Sequence, residues 1–175
     1  METVMKIQDL IGEELSWSQP RLMTSEYDLS RGTEVIGTLR FRSSFGSLAT
    51  ARLEPGCWTF KRQGFLQTRV SIRACDQEAD LGVFRNNTWT GGGTLELPGG
   101  DQIQANTNFW HSRYEFAAAG GVSLIKYQTH QGLKLRGEME ILPAAKALPE
   151  LPWLVMLGWY LAVMMHSDDS AVAMT

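Results

Sequence analysis

The sequence contains very little cysteine and histidine. Two cysteines, Cys57 and Cys75, and three histidines occur among 175 residues. The cysteines lack metal-ligand spacing, and so few histidines leave little material for histidine-based catalysis. The N-terminal segment carries acidic residues where a signal peptide needs an apolar stretch. The sequence therefore predicts a cytoplasmic protein with two reduced thiols.

Recognisable catalytic motifs are also missing. No serine, cysteine or threonine lies in a nucleophile-elbow pattern. Glu138 and Glu140 alternate with apolar residues, which places both carboxylates on a predicted solvent face rather than in a site. The glycine-rich segments 91–93 and 98–100 precede no Lys-Ser/Thr pair and favour hairpin turns over a phosphate loop. We therefore predict a non-enzymatic protein with no cofactor.

One group of residues near the C-terminus has the side-chain types of a metal site. It comprises His166, Asp168 and Asp169. A polar tail that follows a helix explains the same residues, and we favour that interpretation and predict no metal.

Only one long hydrophobic run is present, from Pro149 to Met165. It carries no charge from Trp153 onward and, as a helix, is apolar on every side. Such a helix must be surrounded by protein or by lipid. Some 14 residues at ~1.5 Å each reach roughly 21 Å, which is short of the ~30 Å hydrocarbon core. A buried core helix is thus favoured over a tail anchor, and no transmembrane span is expected.

Before this run the chain shows strict two-residue alternation. Apolar residues or glycine occupy the odd positions from Leu133 to Ile141, and charged residues occupy all the even positions, as a half-buried strand requires. Turn signals such as Gly99-Gly100 separate similar runs. We count about twelve runs: 15–18, 21–29, 33–42, 47–54, 56–62, 66–75, 79–86, 91–98, 101–106, 110–117, 122–129 and 133–141.

The two patterns together predict a single all-β domain closed around the helix. A closed sheet of about 8 strands is filled by its own side chains, whereas about 16 leave a channel. Twelve strands leave room for one helix, and small residues on the inferred inner faces would accommodate it. These are Gly37, Ala49, Ala51, Ala74 and Gly137. Residues 1–14 are predicted as an arm or short helix, 15–141 as the barrel, 149–166 as the central helix and 167–175 as a polar tail.

Positive charge is concentrated in one part of the chain. Between Leu39 and Cys75 lie seven bases and one acid, while the net charge of the whole chain is −3. We call these bases the basic face and predict that it binds an anionic surface: Arg40, Arg42, Arg52, Lys61, Arg62, Arg69 and Arg73. Phe41, Phe45, Trp58 and Phe65 lie in the same region, either to contact a membrane or to fill the core. The negative net charge argues against nucleic acid as a partner.

In element order, and in the run WLVMLGWYLAVMM, the chain resembles the tubby-like superfamily. This group contains the tubby C-terminal domain, the LURP-one-related proteins and the phospholipid scramblases. The chain is most similar to its compact, stand-alone prokaryotic members. The resemblance implies a twelve-stranded barrel threaded by a hydrophobic helix, and a lipid-associated function. It implies no metal, cofactor or residue-specific lipid site.

Three functional hypotheses follow. The first is a binding or scaffold module that meets anionic phospholipid, or another acidic partner, from the cytoplasm through the basic face. The second is a structural or protein–protein interaction module without a ligand. The third is a small-ligand carrier, which would need an empty barrel with the helix outside.

Overall fold

The computed structural model describes residues 5–64, 67–87, 92–108 and 111–173. Twelve antiparallel strands follow a short 3₁₀ helix, Ile7–Leu10. They are β1 Glu14–Ser18, β2 Glu26–Arg31, β3 Glu34–Phe41, β4 Ala49–Leu53, β5 Gly56–Gln63, β6 Arg69–Ala74, β7 Asp80–Asn86, β8 Gly93–Glu96, β9 Gln102–Thr107, β10 Arg113–Ala118, β11 Ser123–His130 and β12 Arg136–Ile141. A second 3₁₀ helix, Pro143–Ala145, leads to the helix α1, Leu151–Ala173.

The strands form one closed barrel in which each strand pairs with its neighbours in sequence. Pairing of β1 with β12 closes the ring, with Leu15 opposite Met139 and Trp17 opposite Gly137. Both the twelve-stranded closed barrel and its C-terminal helix are therefore confirmed. The Gly99-Gly100 turn joins β8 to β9 as a hairpin, as predicted.

Small residues on the inner face make room for large ones. Trp58 lies opposite Ala51 on one neighbouring strand and opposite Ala74 on the other. Gly137 faces the helix, because a Cβ at this position would lie 2.9 Å from the Trp159 ring. The predicted inner positions therefore accommodate a central element.

Helix α1 occupies that interior. From Leu151 to Tyr160 every residue but the half-buried Pro152 is buried, so no side of this part of the helix faces solvent. The Trp159 ring stacks on Trp17 of β1 with centroids 5.3 Å apart and meets Tyr27 of β2 edge-on at 6.1 Å.

Further along the wall, Tyr160 stacks on Phe41 of β3 at 5.5 Å and contacts Phe60 of β5 at 5.4 Å. On β11, the Tyr127 hydroxyl donates to the Val155 carbonyl at 2.8 Å. The helix thus contacts strands around the ring, and the hypothesis of an empty carrier barrel loses its structural basis.

The helix is longer than the sequence predicts. It continues to Ala173, whereas its predicted end is at residue 166. Residues 167–173 of the predicted polar tail form its last turns, where the Ser170 hydroxyl donates to the His166 carbonyl at 2.9 Å, and residues 174 and 175 lie outside the described residues. Among the described residues, no helix combines the length and the hydropathy needed to cross a bilayer.

The prediction of two reduced thiols is wrong. Cys57 and Cys75 form a disulfide that links β5 to β6, with their Cα atoms 5.4 Å apart. The two residues lie opposite each other, because the neighbouring Trp58 pairs with Ala74 and the Cys75 amide donates to the Cys57 carbonyl at 3.0 Å. The cytoplasmic prediction therefore loses the support that it drew from reduced cysteines.

Removing this disulfide is expected to destabilise the barrel. The bond closes a loop with a sequence separation of 18, so the Cys57→Ser/Cys75→Ser variant should lose about 2–3 kcal/mol of unfolding free energy. Urea unfolding would measure the loss, and dithiothreitol should reproduce it in the wild type but have no effect on the double variant. Equal urea midpoints for wild type and variant would contradict this expectation.

Candidate functional site

The basic face does not lie on a single surface. Arg40, Arg52, Lys61, Arg69 and Arg73 alternate with buried residues and therefore lie on the outer wall. Arg62 instead pairs with Val70, which is fully buried, so Arg62 belongs to the inner face at one end of the barrel. Arg42 follows the end of β3. The predicted residues are thus divided between a wall and an end.

Three of the seven bases are paired with acids from elsewhere in the chain. Arg40 binds Asp28 of β2 at 2.8 Å, and Arg73 binds Asp80 of β7 at 2.7 Å. Arg62 binds Asp168 of the helix at 2.6 Å. Arg42, Arg52, Lys61 and Arg69 form no salt bridge with any described residue.

The aromatic residues of this region also separate. Phe41 is half-buried and stacks on Tyr160, while Trp58 is buried in the core. Phe45 is completely exposed. Phe65 lies outside the described residues. The core interpretation therefore holds for Phe41 and Trp58, and Phe45 remains available for binding.

A second basic cluster lies at the end of the barrel from which the helix emerges. Arg21 lies between β1 and β2, Arg42 between β3 and β4, and Lys134 between β11 and β12, and Arg136 begins β12. All four side chains are exposed. The three connections, residues 19–25, 42–48 and 131–135, contain no acid. We call this surface the basic end.

The opposite end carries the opposite charge. Among the described residues, its connections between strands and the link from β12 to α1 contain five acids and one base, Lys146. We call it the acidic end, and its acids are Glu54, Asp76, Glu78, Asp101 and Glu150. Charge therefore changes sign along the barrel axis, although the whole chain is only slightly acidic.

One salt bridge and one hydrogen bond to a histidine hold the emerging helix at the basic end. Asp168 binds Arg62, and Asp169 lies 2.9 Å from Nδ1 of His111. Asp168 therefore contacts strand β5 and Asp169 contacts the connection between β9 and β10, whereas Nδ1 of His166 has no hydrogen-bond partner among the described residues. Within the described ranges, no group of three His, Cys, Asp or Glu side chains is arranged to hold a metal ion.

Two tyrosine hydroxyls beneath this surface, one on the helix and one on β10, donate to carbonyls of the loops. The Tyr160 hydroxyl donates to the Ser47 carbonyl at 2.5 Å, and the Tyr114 hydroxyl donates to the His111 carbonyl at 2.5 Å. Burial raises the pKa of both, an effect that Arg62 partly offsets at Tyr160 and that the Asp169 carboxylate increases at Tyr114. Both hydroxyls therefore remain neutral donors at physiological pH.

The carboxylates of β12 lie on the outer wall, as predicted. Glu140 pairs with Glu14 of β1, and Glu138 lies 2.5 Å from Nε2 of His130. Both carboxylates line an open groove of about 790 Å³ that also contains Arg113 and Lys126. Its walls are polar strand faces of mixed charge.

Sequence reasoning did not find the basic end, because its bases belong to connections that are separated along the chain. Only Arg42 is shared with the basic face. Alternation also placed two exposed residues, Met23 and Leu133, within predicted strands, whereas both lie in connections. No match was found when the chain was compared with protein-family models, with curated protein sequences and with solved structures.

Proposed function

We propose that this protein is a non-enzymatic binding module whose basic end contacts the anionic surface of a phospholipid membrane. One observation carries the proposal: the four exposed bases of the basic end face away from the acids of the opposite end. Because its charges are separated along the barrel axis, the protein would approach a negative surface with the basic end first.

Electrostatics favours contact by an end rather than by the wall. Attraction to anionic lipid is worth about 1 kcal/mol per base and falls off within a Debye length of about 8–10 Å. Bases on neighbouring connections can lie within that layer together. The wall bases are spread over four strands, and Arg40 and Arg73 are already paired with acids.

Two further features support a binding role rather than catalysis. The interior is filled by the helix, which leaves the outer surface to meet a partner. The resemblance to the tubby-like superfamily, which led to the lipid hypothesis, implies the same arrangement of barrel and helix. Neither feature identifies a particular headgroup.

Reversing two charges at the basic end should weaken membrane binding. Arg42→Glu/Lys134→Glu removes two bases and adds two acids, so its partition onto phosphatidylserine-containing vesicles should fall roughly thirtyfold or more. Co-sedimentation at about 0.1 M salt, with phosphatidylcholine vesicles for comparison, would measure it. Salt of about 1 M, at which the Debye length is about 3 Å, should weaken the electrostatic part of wild-type binding.

A matched control exists at the acidic end. Lys6→Glu/Lys146→Glu makes the same change in net charge at exposed positions near the opposite opening. This control should bind almost as wild type does. Equal loss in both variants would show that only net charge matters. Absence of wild-type binding under every condition would remove the proposal and favour a protein-interaction module.

A further inference from the structure

Three large apolar side chains project almost fully into solvent at the basic end. Met23 is 94% exposed, Phe45 102% and Leu133 92%. Each belongs to a different connection, and the strands that bear these connections are consecutive around the barrel, from β11 through β12 and β1 to β4. We call these three residues the apolar rim. Apolar side chains that are exposed together and bordered by polar residues are typical of protein or membrane interaction sites.

Hydrogen bonds link two of these connections, residues 19–25 and 131–135, to each other. The side-chain Nε2 of Gln19 donates to the Thr24 carbonyl at 2.5 Å, and the side-chain Oε1 of Gln19 accepts from the Leu135 backbone N–H at 3.3 Å. Lys134 Nζ donates to the Pro20 carbonyl at 3.4 Å. The loops that carry Met23 and Leu133 are therefore held as one unit.

The third connection is anchored to the central helix. Tyr160 donates to the Ser47 carbonyl, and the Ser47 hydroxyl donates to the Arg62 carbonyl at 3.0 Å. The Arg42 amide also donates to the Leu48 carbonyl at 2.9 Å, which closes the base of the loop. Phe45 lies at the tip of a loop whose two ends are thus fixed.

The backbone conformation at Met23 keeps this side chain in its exposed position. Its φ of 59° lies in the left-handed region, which disfavours residues with a Cβ. The Thr24 hydroxyl donates to the Arg21 carbonyl at 3.0 Å and stabilises this turn. The chain therefore holds an apolar side chain outward in a conformation that glycine or asparagine would adopt more readily.

We infer that the apolar rim inserts into the interfacial region of an anionic bilayer while Arg21, Arg42 and Lys134 contact the headgroups. This inference rests on the proposed function and adds which side chains enter the bilayer. Charge complementarity selects the occupant, because each rim residue lies in a connection that carries a base and no acid. Single side chains that project from separate loops fit a fluid interface better than a flat protein surface.

The first test separates insertion from electrostatic attraction. In Met23→Ser/Phe45→Ser/Leu133→Ser every base remains, so binding to phosphatidylserine vesicles at about 1 M salt should fall roughly tenfold or more. The matched control is Val35→Ser/Val122→Ser, since these valines are each 52% exposed and lie at the acidic end. The control should bind as wild type does, and both variants should keep the wild-type melting temperature.

A second measurement reports position directly. An environment-sensitive nitrobenzoxadiazole label on Phe45→Cys should shift to the blue when vesicles are added, whereas the same label on Val122→Cys should not. Labelling without reductant leaves the Cys57–Cys75 disulfide intact.

The two proposals fail in different ways. If Arg42→Glu/Lys134→Glu loses binding but the rim variant binds as wild type does and the label at position 45 does not shift, insertion is wrong and electrostatic contact stands. If wild type binds no vesicle at either salt concentration, the proposed function falls and insertion falls with it. Loss of binding in the rim variant together with a blue shift at position 45 supports insertion.

Discussion

Trp159→Asp is expected to abolish folding. Trp159 is fully buried between Trp17, Tyr27 and Gly137, and an aspartate there would remove both ring contacts and leave an unpaired carboxylate. Truncating a core tryptophan costs about 3–5 kcal/mol, and an uncompensated buried charge costs several kcal/mol more. The sum is comparable with the entire stability of a domain, about 5–15 kcal/mol. Soluble yield and near-ultraviolet circular dichroism would measure the effect.

Two controls distinguish burial from a general intolerance of the helix. Ala171→Asp places the same charge on an exposed part of α1 and should leave the melting temperature nearly unchanged. Trp159→Phe should fold with a modest loss, because the indole N–H of Trp159 has no hydrogen-bond partner in the described part of the chain. A soluble Trp159→Asp protein with wild-type melting would show that the helix does not occupy the barrel.

Gly158→Ala is expected to destabilise the protein strongly. Its Cβ would lie 2.2 Å from both Cζ and Oη of Tyr127, a side chain that is itself buried and bonded to the helix carbonyl of Val155. The ring must move and lose that bond. Overpacking and an unsatisfied hydroxyl together predict a loss of about 3–5 kcal/mol, although alanine is about 1 kcal/mol better than glycine within a helix. Urea unfolding would measure the loss.

The destabilisation by Gly158→Ala should disappear when the Tyr127 ring is removed. In a Tyr127→Leu background the atoms that clash with the new Cβ are absent. Gly158→Ala should then be neutral or stabilise by up to about 1 kcal/mol through helix propensity. The double-mutant cycle therefore isolates the contact between helix and strand. Equal losses in both backgrounds would mean that position 158 meets no strand.

The architecture could be predicted because each of its determinants is local. Two-residue alternation marked the strands, turn residues separated them, and the run after Pro149 required enclosure. Gly137 could be recognised as a site that makes room for the helix, because a missing side chain has a direct steric meaning. The start of a strand was harder to predict. The alternation of the last run begins at Leu133, whereas β12 begins at Arg136, which pairs with His130.

The proposed binding surface could not be predicted, because it depends on which strands and connections are neighbours around the barrel. Counting charges between residues 39 and 75 omits Asp28, Asp80 and Asp168, which neutralise three of the predicted bases. Arg21, Arg42 and the pair of Lys134 and Arg136 are far apart along the chain, and they come together only because alternate connections lie at the same end of the barrel. The disulfide was missed for the same reason, since only the register of β5 and β6 brings the two cysteines together.

The order of the elements along the chain has a consequence for biosynthesis. All twelve strands emerge from the ribosome before the helix that fills them, and β1 must wait for β12 before the ring can close. Until then the apolar inner faces of the nascent hairpins are exposed, and exposed apolar surfaces are prone to aggregation. Slow translation or arrest ahead of Leu151 should therefore increase chaperone occupancy.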